Sequence, residues 1–270
     1  MMHWLLQENM AHEKGWDDLV STLERFSIPY SFHKVVPFVG ELIPDPILEN
    51  DNVICMGSYS MRHYAKKHNL NPGVFDIEGI DFSVQRWYWK HNMLNFDSQI
   101  VKFKDIEIYQ PMFLRPVEDN KFFAGNVFDP KEFKEWQKKV LDNVDSEEKL
   151  SLSGETVCQV SIPKKIYSEY RFWVIGTEII TASQYKRGDQ VIYSNNVDQR
   201  FYDYVMTLIH PFSYFERNDR MWSPERAYVL DVCETDQGIK VVEINTLNSA
   251  GFYAADVPKL VMALEGKFNV

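Results

Sequence analysis

The chain has 270 residues, of which 45% are apolar, 25% charged and 14% aromatic, a balance that supports one large or two smaller packed domains and excludes a disordered chain. Its formal charge is −10 and no block of lysine or arginine is long enough to track a phosphate backbone, so nucleic acid is not an expected partner. No apolar run approaches a membrane span, and the first residues lack a basic stretch followed by an apolar core, so a soluble cytoplasmic protein is expected.

The first part of the chain reads as a small α/β unit. His3–Gln7 is a short strand, and Trp16, Leu19, Val20, Leu23 and Phe26 recur at helical spacing. Ser31–Phe38 alternates as a strand does, and Pro37–Asn50, with three prolines, is a loop. Val53–Met56 is a buried strand, and Gly57-Ser58 opens a helix that runs through Lys67. A helix N-terminus placed after a strand can hold a phosphate. The same residues also make a tight strand-to-helix turn, the simpler reading where both the P-loop and the dinucleotide fingerprints are missing.

Asn71-Pro72-Gly73 is a turn and Phe82–Asn92 a helix. Strands dominate from there on, interrupted by a helix at Pro130–Asn143 that has Asp129 as its N-cap and Phe133, Trp136, Val140 and Leu141 on one face. Asp145–Glu155 is polar and rich in serine and acidic residues. Cys55, Cys158 and Cys233 sit in apolar, strand-like contexts without metal-site spacing and read as buried thiols in a reducing compartment.

Four clusters carry chemistry. In MFLRPVEDNKFFAGNVFD a strand ends at Arg115, a polar turn reaches Lys121, and a second strand begins at Phe122, with Gly125 permitting close backbone approach. Two cations at the mouth of one hairpin can clamp phosphate oxygens, or can simply be solvated loop charges. In EYRFWVIGTEIITASQYK, Gly176-Thr177 fits a two-residue turn with glycine first. Counting back from that turn pairs Arg171 with Ala182 and Glu169 with Gln184, and gathers Glu169, Arg171, Gln184 and Lys186 on one face with Trp173 and Ile180. Such a face is either a solvated ion-pair ladder or a ligand surface.

The third cluster is AYVLDVCETDQGIKVVEIN. Two apolar runs flank Asp236-Gln237-Gly238, a loop suited to a type I turn closed by glycine in the left-handed region. Thr235 then pairs with Ile239, Asp231 lies opposite Glu243, and Asn245 follows on the same face. Like charges directly opposite each other destabilise a sheet, and buried charges persist only when compensated. Unless this face meets solvent, the carboxylate pair needs a cation, and an oxygen-only ligand set suits Mg²⁺ or Mn²⁺. The fourth cluster, TLNSAGFYAAD, leads into a helix capped near Asp256. Its residues Asn248, Ser249 and Gly251 are placed either to contact a substrate or merely to connect strand and helix.

Taken in order, Arg115-Pro116 with Lys121, TVCQVSI, EYR, SQYK, LDV and VVEIN resemble the ATP-grasp superfamily. The likeness is greatest to the clade in which an arginine late in the second hairpin is replaced by lysine, here Lys186, a clade frequent in bacteriophages. LNSAGFY, and MGSYSMRHYAKKH followed by NPGVF, are similar to that clade as well, so the resemblance covers essentially the whole chain. It implies an α+β fold in which two subdomains hold ATP between sheets. Residues 83–270 would form that catalytic domain and residues 1–82 a Rossmann-like domain before it. Arg115, Lys121, Arg171 and Lys186 match positions that contact ATP phosphates or an acyl-phosphate. Gln159, Val160 and Ser161 match the hinge that holds adenine, largely through backbone groups. Glu169 matches a position near the nucleotide, and Asp231, Glu243 and Asn245 match the Mg²⁺ ligands. The phosphate-covering loop departs from the pattern in being short, with Gly125 as its one glycine.

The activity so implied is an ATP-dependent ligase that joins a small-molecule or peptide carboxylate to an amine through an acyl-phosphate, with neither nucleic acid nor membrane as partner. Two alternatives share the residues. One is an ATP-dependent phosphotransferase, and the other a non-catalytic nucleotide-binding phage protein that engages a host partner in the host cytoplasm. None of the seven histidines stands beside a serine or cysteine in a nucleophile motif, in keeping with chemistry that needs no covalent side chain.

Overall fold

The computed structural model describes residues 1–10, 12–78, 80–118, 123–142, 152–209 and 227–269. Lys121 and most of the polar stretch at 145–155 lie outside them. In chain order the first elements are β1 (His3–Gln7), α1 (Trp16–Arg25), β2 (Tyr30–Val35), β3 (Leu42–Ile43), β4 (Asn52–Met56), α2 (Met61–Lys67) and β5 (Asn71–Gly73). Then come α3 (Phe82–Trp89), β6 (Gln99–Lys102), β7 (Met112–Pro116), β8 (Asn126–Phe128), α4 (Pro130–Asp142) and β9 (Val157–Ser161). The rest are β10 (Ile166–Ile175), β11 (Glu178–Arg187), β12 (Gln190–Ser194), α5 (Gln199–Ile209), β13 (Ala227–Thr235), β14 (Gly238–Thr246) and α6 (Val257–Phe268).

These elements form two compact units, Glu78–Lys165 and the remainder of the chain. The larger unit holds two five-stranded sheets. One has the order β3-β2-β1-β4-β5 and is parallel except for β2–β3; the other, β12-β11-β10-β13-β14, is antiparallel throughout. A single core joins them. Trp4, Leu6, Trp16 and Leu23 from the N-terminal layer pack with Trp173, Val229, Phe252, Leu260 and Leu264 from the C-terminal one. The N-terminal α/β layer and the C-terminal hairpins therefore share buried area, a grouping that sequence order does not suggest. Helix α5 covers the other face of the antiparallel sheet, with Phe201 on Tyr170 (ring centroids 4.0 Å apart) and Tyr202 on Phe172 (5.3 Å).

The smaller unit is a four-stranded antiparallel sheet, β6-β9-β7-β8, with α4 packed by an aromatic cluster of Phe103, Phe128, Phe133 and Trp136. Asp129 caps α4 as expected, its Oδ1 accepting the Lys131 N–H at 2.9 Å.

Several local expectations give way to tertiary contacts. Helix α1 stops at Arg25, which leaves Phe26 exposed, and Thr22 is buried as well, while Val20 packs partly buried against the core. Asn71–Gly73 adds a parallel edge strand to β4 rather than only a turn. The second strand of the Arg115 hairpin is described over Asn126–Phe128, and Phe122, where the sequence places its start, lies outside the described residues. At Gly57-Ser58 the tight turn is what forms. Gly57 takes φ 147°, where a Cβ would stand 2.4 Å from that of Gln7. The Gly57 N–H donates to Asn248 O (2.9 Å) and the Ser58 N–H to Gln7 Oε1 (2.6 Å), while α2 begins only at Met61. Donors already bonded to the protein do not wait for a phosphate.

Candidate functional site: a buried carboxylate and arginine network

The third cluster folds as the β13–β14 hairpin, and Asp231 does lie opposite Glu243. The register arrives there by a different route. Gly238 is left-handed at φ 91°, but it pairs with Thr235 itself, so the ladder runs one residue away from the expected count. A bulge between Asp231 and Val232 then restores the pairing. Asn245, on the same face, donates Nδ2 to Glu243 Oε1 at 2.9 Å, which leaves the amide oxygen as its ligand-capable atom.

The cation that compensates Asp231 is a side chain of the neighbouring strand. Strand β10 pairs with β13, placing Arg171 directly beside Asp231. Arg171 Nε and Nη2 donate to the two carboxylate oxygens at 2.8 Å each. Asp231 is 2% exposed and Arg171 8%. Burial raises the Asp231 carboxyl above its ordinary value, the Arg171 charge opposes that rise, and Glu243 and Glu169 add to it. For Arg171, burial works against the charge and Asp231 outweighs it, so its proton is held more tightly than usual. A buried carboxylate here does not by itself demand a metal.

The β10–β11 hairpin turns at Gly176 (φ 60°) with Ile175 opposite Glu178, as the turn chemistry requires. Its register departs from simple counting at two bulges, between Trp173 and Val174 and between Glu169 and Tyr170. Arg171 consequently faces Ser183, not Ala182, and Gln184 faces Tyr170. Lys186 comes opposite Glu169 and pairs with Glu169 Oε1 at 3.0 Å. The extra residue, Tyr185, takes the place expected for Gln184 and donates its hydroxyl to Glu169 Oε2 at 3.0 Å. Burial, with the Asp231 and Glu169 charges, pushes the Tyr185 phenol well above its usual value.

Tyr185 and Tyr253 are participants that alternation patterns miss. Their rings stack at 5.1 Å, and Tyr193 stacks on Tyr253 at 5.3 Å. The Arg171 guanidinium carbon lies 4.9 Å from the Tyr253 ring centroid and 5.8 Å from that of Tyr185. Tyr253 holds φ 54°, uncommon for an aromatic residue, within a loop whose Ala254 N–H donates to Ser183 Oγ (3.2 Å) and Asp256 N–H to Thr181 Oγ1 (2.9 Å). A bulge cannot be read from alternation, and an aromatic residue in a small-residue loop carries no further signal.

Asn248 is a structural clamp. At 3% exposure, its Oδ1 accepts the Phe75 N–H (2.8 Å), and its Nδ2 donates to Cys55 O (2.6 Å) and Gly73 O (3.3 Å). Beside it a cavity of about 110 Å³ is lined by Met10, Glu13, Trp16, Met56, Gly57 and residues 248–252, at the C-terminal end of β4.

In the smaller unit, Arg115 on β7 lies opposite Gln159 on β9. Gln159 and Val160 pair with β6 on one side and β7 on the other, so their backbone groups are consumed by the sheet. The buried Gln159 Oε1, however, finds no hydrogen-bond partner among the described residues. Ser161 ends the strand, and its hydroxyl donates to Asn95 Oδ1 at 3.3 Å.

Among the described residues no group of three or more His, Cys, Asp or Glu side chains is set to hold a metal. With the Asn245 amide added, Asp231 and Glu243 nevertheless make a hard, all-oxygen donor set that suits Mg²⁺. Each Asp231 oxygen keeps a second lone pair beyond its bond to Arg171. No described helix is long and apolar enough to cross a membrane. The three cysteines are free and buried, and burial pushes the Cys55 and Cys233 thiols up to about 12 and that of Cys158 to about 11.

Comparison with known proteins settles the fold. Among curated proteins none matches the chain in sequence. Among solved structures, an ATP-grasp RimK domain protein from Sphaerobacter thermophilus aligns with 97% of this chain and 98% of its own, at TM-score 0.61 and 13% identity. A D-alanine–D-alanine ligase from Bacillus anthracis aligns at TM-score 0.55 and 10% identity, with 97% and 92% of the two chains covered. The same enzyme complexed with ATP aligns at TM-score 0.57 and 11% identity, covering 97% and 91%. At such identities the likeness is one of fold, α+β and ATP-grasp. The model of a family of ATP-grasp domains, the third family of the arginine-to-lysine clade, matches residues 57–264. The chain belongs to that family of ATP-grasp domains.

Proposed function

We propose that the protein is an ATP-dependent ligase that joins a carboxylate to an amine through an acyl-phosphate. The observation that carries this reading is the face of the antiparallel sheet on which Asp231, Glu243 and Asn245 stand beside the Arg171, Glu169 and Lys186 network. Asp231, Glu243 and Asn245 would hold Mg²⁺ (or Mn²⁺). Bound there, the ion would neutralise charge that develops on the phosphate oxygens as the γ-phosphoryl moves.

Lys186, half-exposed and held by Glu169, is the cation of this network placed to meet phosphate or the developing oxyanion. We assign Arg115 and Lys121 to further phosphate contacts and Glu169 to orienting Lys186. For adenine, the buried acceptor Gln159 Oε1 suits an exocyclic amino group, with Val160 and Ser161 beside it. The cavity beside Asn248, where Glu13 and Ser249 join apolar side chains such as Met10, Trp16 and Met56, is the candidate acceptor pocket. As functional modules we propose residues 1–82 as the pre-ATP-grasp domain and 83–270 as the catalytic domain, acting in a cytoplasm, that of the host if the gene is carried by a phage.

Incubation with ATP, Mg²⁺, hydroxylamine and a panel of amino acids and short peptides should release ADP and trap a hydroxamate. Glu243→Gln should lower ADP release by about 10²-fold, the scale of losing one preorganised electrostatic contact. The ligase reading fails if ADP appears with no hydroxamate or amide, and a stable phosphorylated product would instead mark a phosphotransferase. One observation favours a further reading, nucleotide binding without catalysis: Arg171 already satisfies Asp231, so burial of the carboxylate alone does not require turnover. ATP binding with no ADP from any acceptor would select it.

A further inference from the structure

The cavity beside Asn248 holds about 110 Å³, well below the roughly 300–1,000 Å³ of pockets that enclose a ligand whole. It can therefore seat one end of an acceptor and not all of it. A second, more open hollow of about 330 Å³ adjoins it, and Met10 and Trp16 line both. This groove lies between α1 and β2, and its apolar floor is Trp16, Val20 and the 40% exposed Phe32. Asp17, Ser21 and Glu24, spaced four and three apart, stand on one side of α1 and supply the polar wall. No described lysine, arginine or histidine lines the groove; Lys14 and Arg25 lie over the rings of Tyr193 and Phe26. Met10 follows β1 and Gly57 follows β4, so the two hollows meet at the carboxyl ends of adjacent parallel strands, where open α/β sheets receive ligands.

We propose that the acceptor is a basic peptide: its reactive amine enters the cavity beside Asn248 and its next residues lie along α1, with lysine or arginine against Asp17 and Glu24 and an apolar side chain on Phe32. This rests on reading that cavity as the acceptor pocket of a ligase. The amine nitrogen would form the new C–N bond as the acyl C–O bond to phosphate breaks, its proton passing to solvent. Asp17 and Glu24 lie seven residues apart on α1, about 10 Å along the helix, which an extended peptide spans in about three residues. Glu13, 3.4 Å from His12, brings a further carboxylate to the edge of the smaller cavity, where the amine would enter. A free amino acid would fill the smaller cavity and leave the groove empty. A polyamine matches the charge of the wall but has no side chain to set on Phe32.

The test is binding of two peptides, Ala-Lys-Leu-Lys and Ala-Glu-Leu-Glu, each with a dye at its C-terminus, to the full chain, read by fluorescence anisotropy. Wild type should bind the basic peptide at least about tenfold more tightly than the acidic one, and neither alaninamide nor spermidine should displace it at equal concentration. Asp17→Lys/Glu24→Lys should reverse the preference, and Phe32→Ala should weaken the basic peptide at least about threefold. The chain carries −10 and attracts any cation at long range. Asp203→Lys/Asp236→Lys, on α5 and at the β13–β14 turn, makes the same change of charge away from the groove and should shift the affinity by less than about threefold. In turnover, kcat/KM for the basic peptide should exceed that for alaninamide by at least about tenfold, and Asp17→Lys/Glu24→Lys should remove most of that ratio.

The proposal is overturned if the two peptides bind alike, if the groove variant keeps the wild-type preference, or if Asp203→Lys/Asp236→Lys loses it equally. Spermidine competing as well as the basic peptide would also overturn it and mark a polyamine acceptor. Asp17, Glu24 and Phe32 are exposed, so their replacement leaves the core in place. Peptide binding without release of ADP defeats the ligase reading and leaves the groove standing. Amide formation on alaninamide without a preference for the basic peptide defeats the groove alone.

Discussion

Asn248 offers a direct contest between two roles. As a substrate contact it should be replaceable with little effect on stability and a raised KM. As a clamp it should be indispensable to the fold. Asn248→Ala removes the partner of the Phe75 N–H and of Cys55 O, bonds of 2.8 and 2.6 Å in a site only 3% exposed, together with a longer contact to Gly73 O. Each buried group left unsatisfied costs about 1–3 kcal/mol, so two well-made bonds put the loss near 3–4 kcal/mol. For a chain of this size that corresponds to a fall in melting temperature of roughly 6–16 °C. Asn248→Asp is isosteric and should be at least as damaging, because it turns the Nδ2 donor into an acceptor facing Cys55 O and Gly73 O. Urea unfolding followed by tryptophan fluorescence, with a thermal melt alongside, measures both. An Asn248→Ala protein within about 1 kcal/mol of wild type would refute the clamp.

Glu265 on α6 accepts from the Met2 N–H (3.1 Å) and from Trp4 Nε1–H (2.8 Å), tying the last helix to the first strand. Glu265→Gln turns an amino group toward one of those donors and should lower the urea midpoint by the equivalent of about 1–3 kcal/mol at unchanged slope; an unaltered midpoint would count against the tie. His3 titrates below its ordinary 6.5 because burial and the neighbouring His33 disfavour its charge, against a smaller pull from Glu49. The unfolded chain then binds the proton more readily, so this contribution to stability is complete above pH 6.5 and is lost as the pH falls from there through the folded value. Denaturation midpoints measured from about pH 8 to 5 should fall on the acid side with a shallower slope in His3→Gln, and equal slopes would exclude His3 as the source.

What could be read from sequence follows from how local each determinant is. The Asp231–Glu243 pairing was legible because its hairpin is contiguous and glycine marks the turn. Yet the count was one residue out at Thr235, and a bulge next to Asp231 cancelled the error. In β10–β11 no such cancellation occurs, and two bulges move Gln184 off the face and Tyr185 onto it. Alternation carries no mark of a bulge, because the extra residue is set by twist and by what packs above the sheet. Asn248 sits in a loop whose composition looks available for ligand, but its partners Cys55, Gly73 and Phe75 lie more than 170 residues earlier in the chain.

The same distinction bears on the carboxylate pair. That two acids facing each other in an apolar hairpin need a cation is a statement about dielectric and charge, and it holds whatever the cation is. The structure supplies part of the answer through β10, the neighbour of β13 in the sheet yet 60 residues away in sequence: Arg171 neutralises Asp231. Had both acids faced only each other, a bare divalent ion would be the natural occupant and would hold the site permanently. With Asp231 already bonded to Arg171, its burial is explained without an ion. The arginine thus does not compete with the metal reading. It removes burial as the argument for a metal and leaves the oxygen donor set as the ground for one.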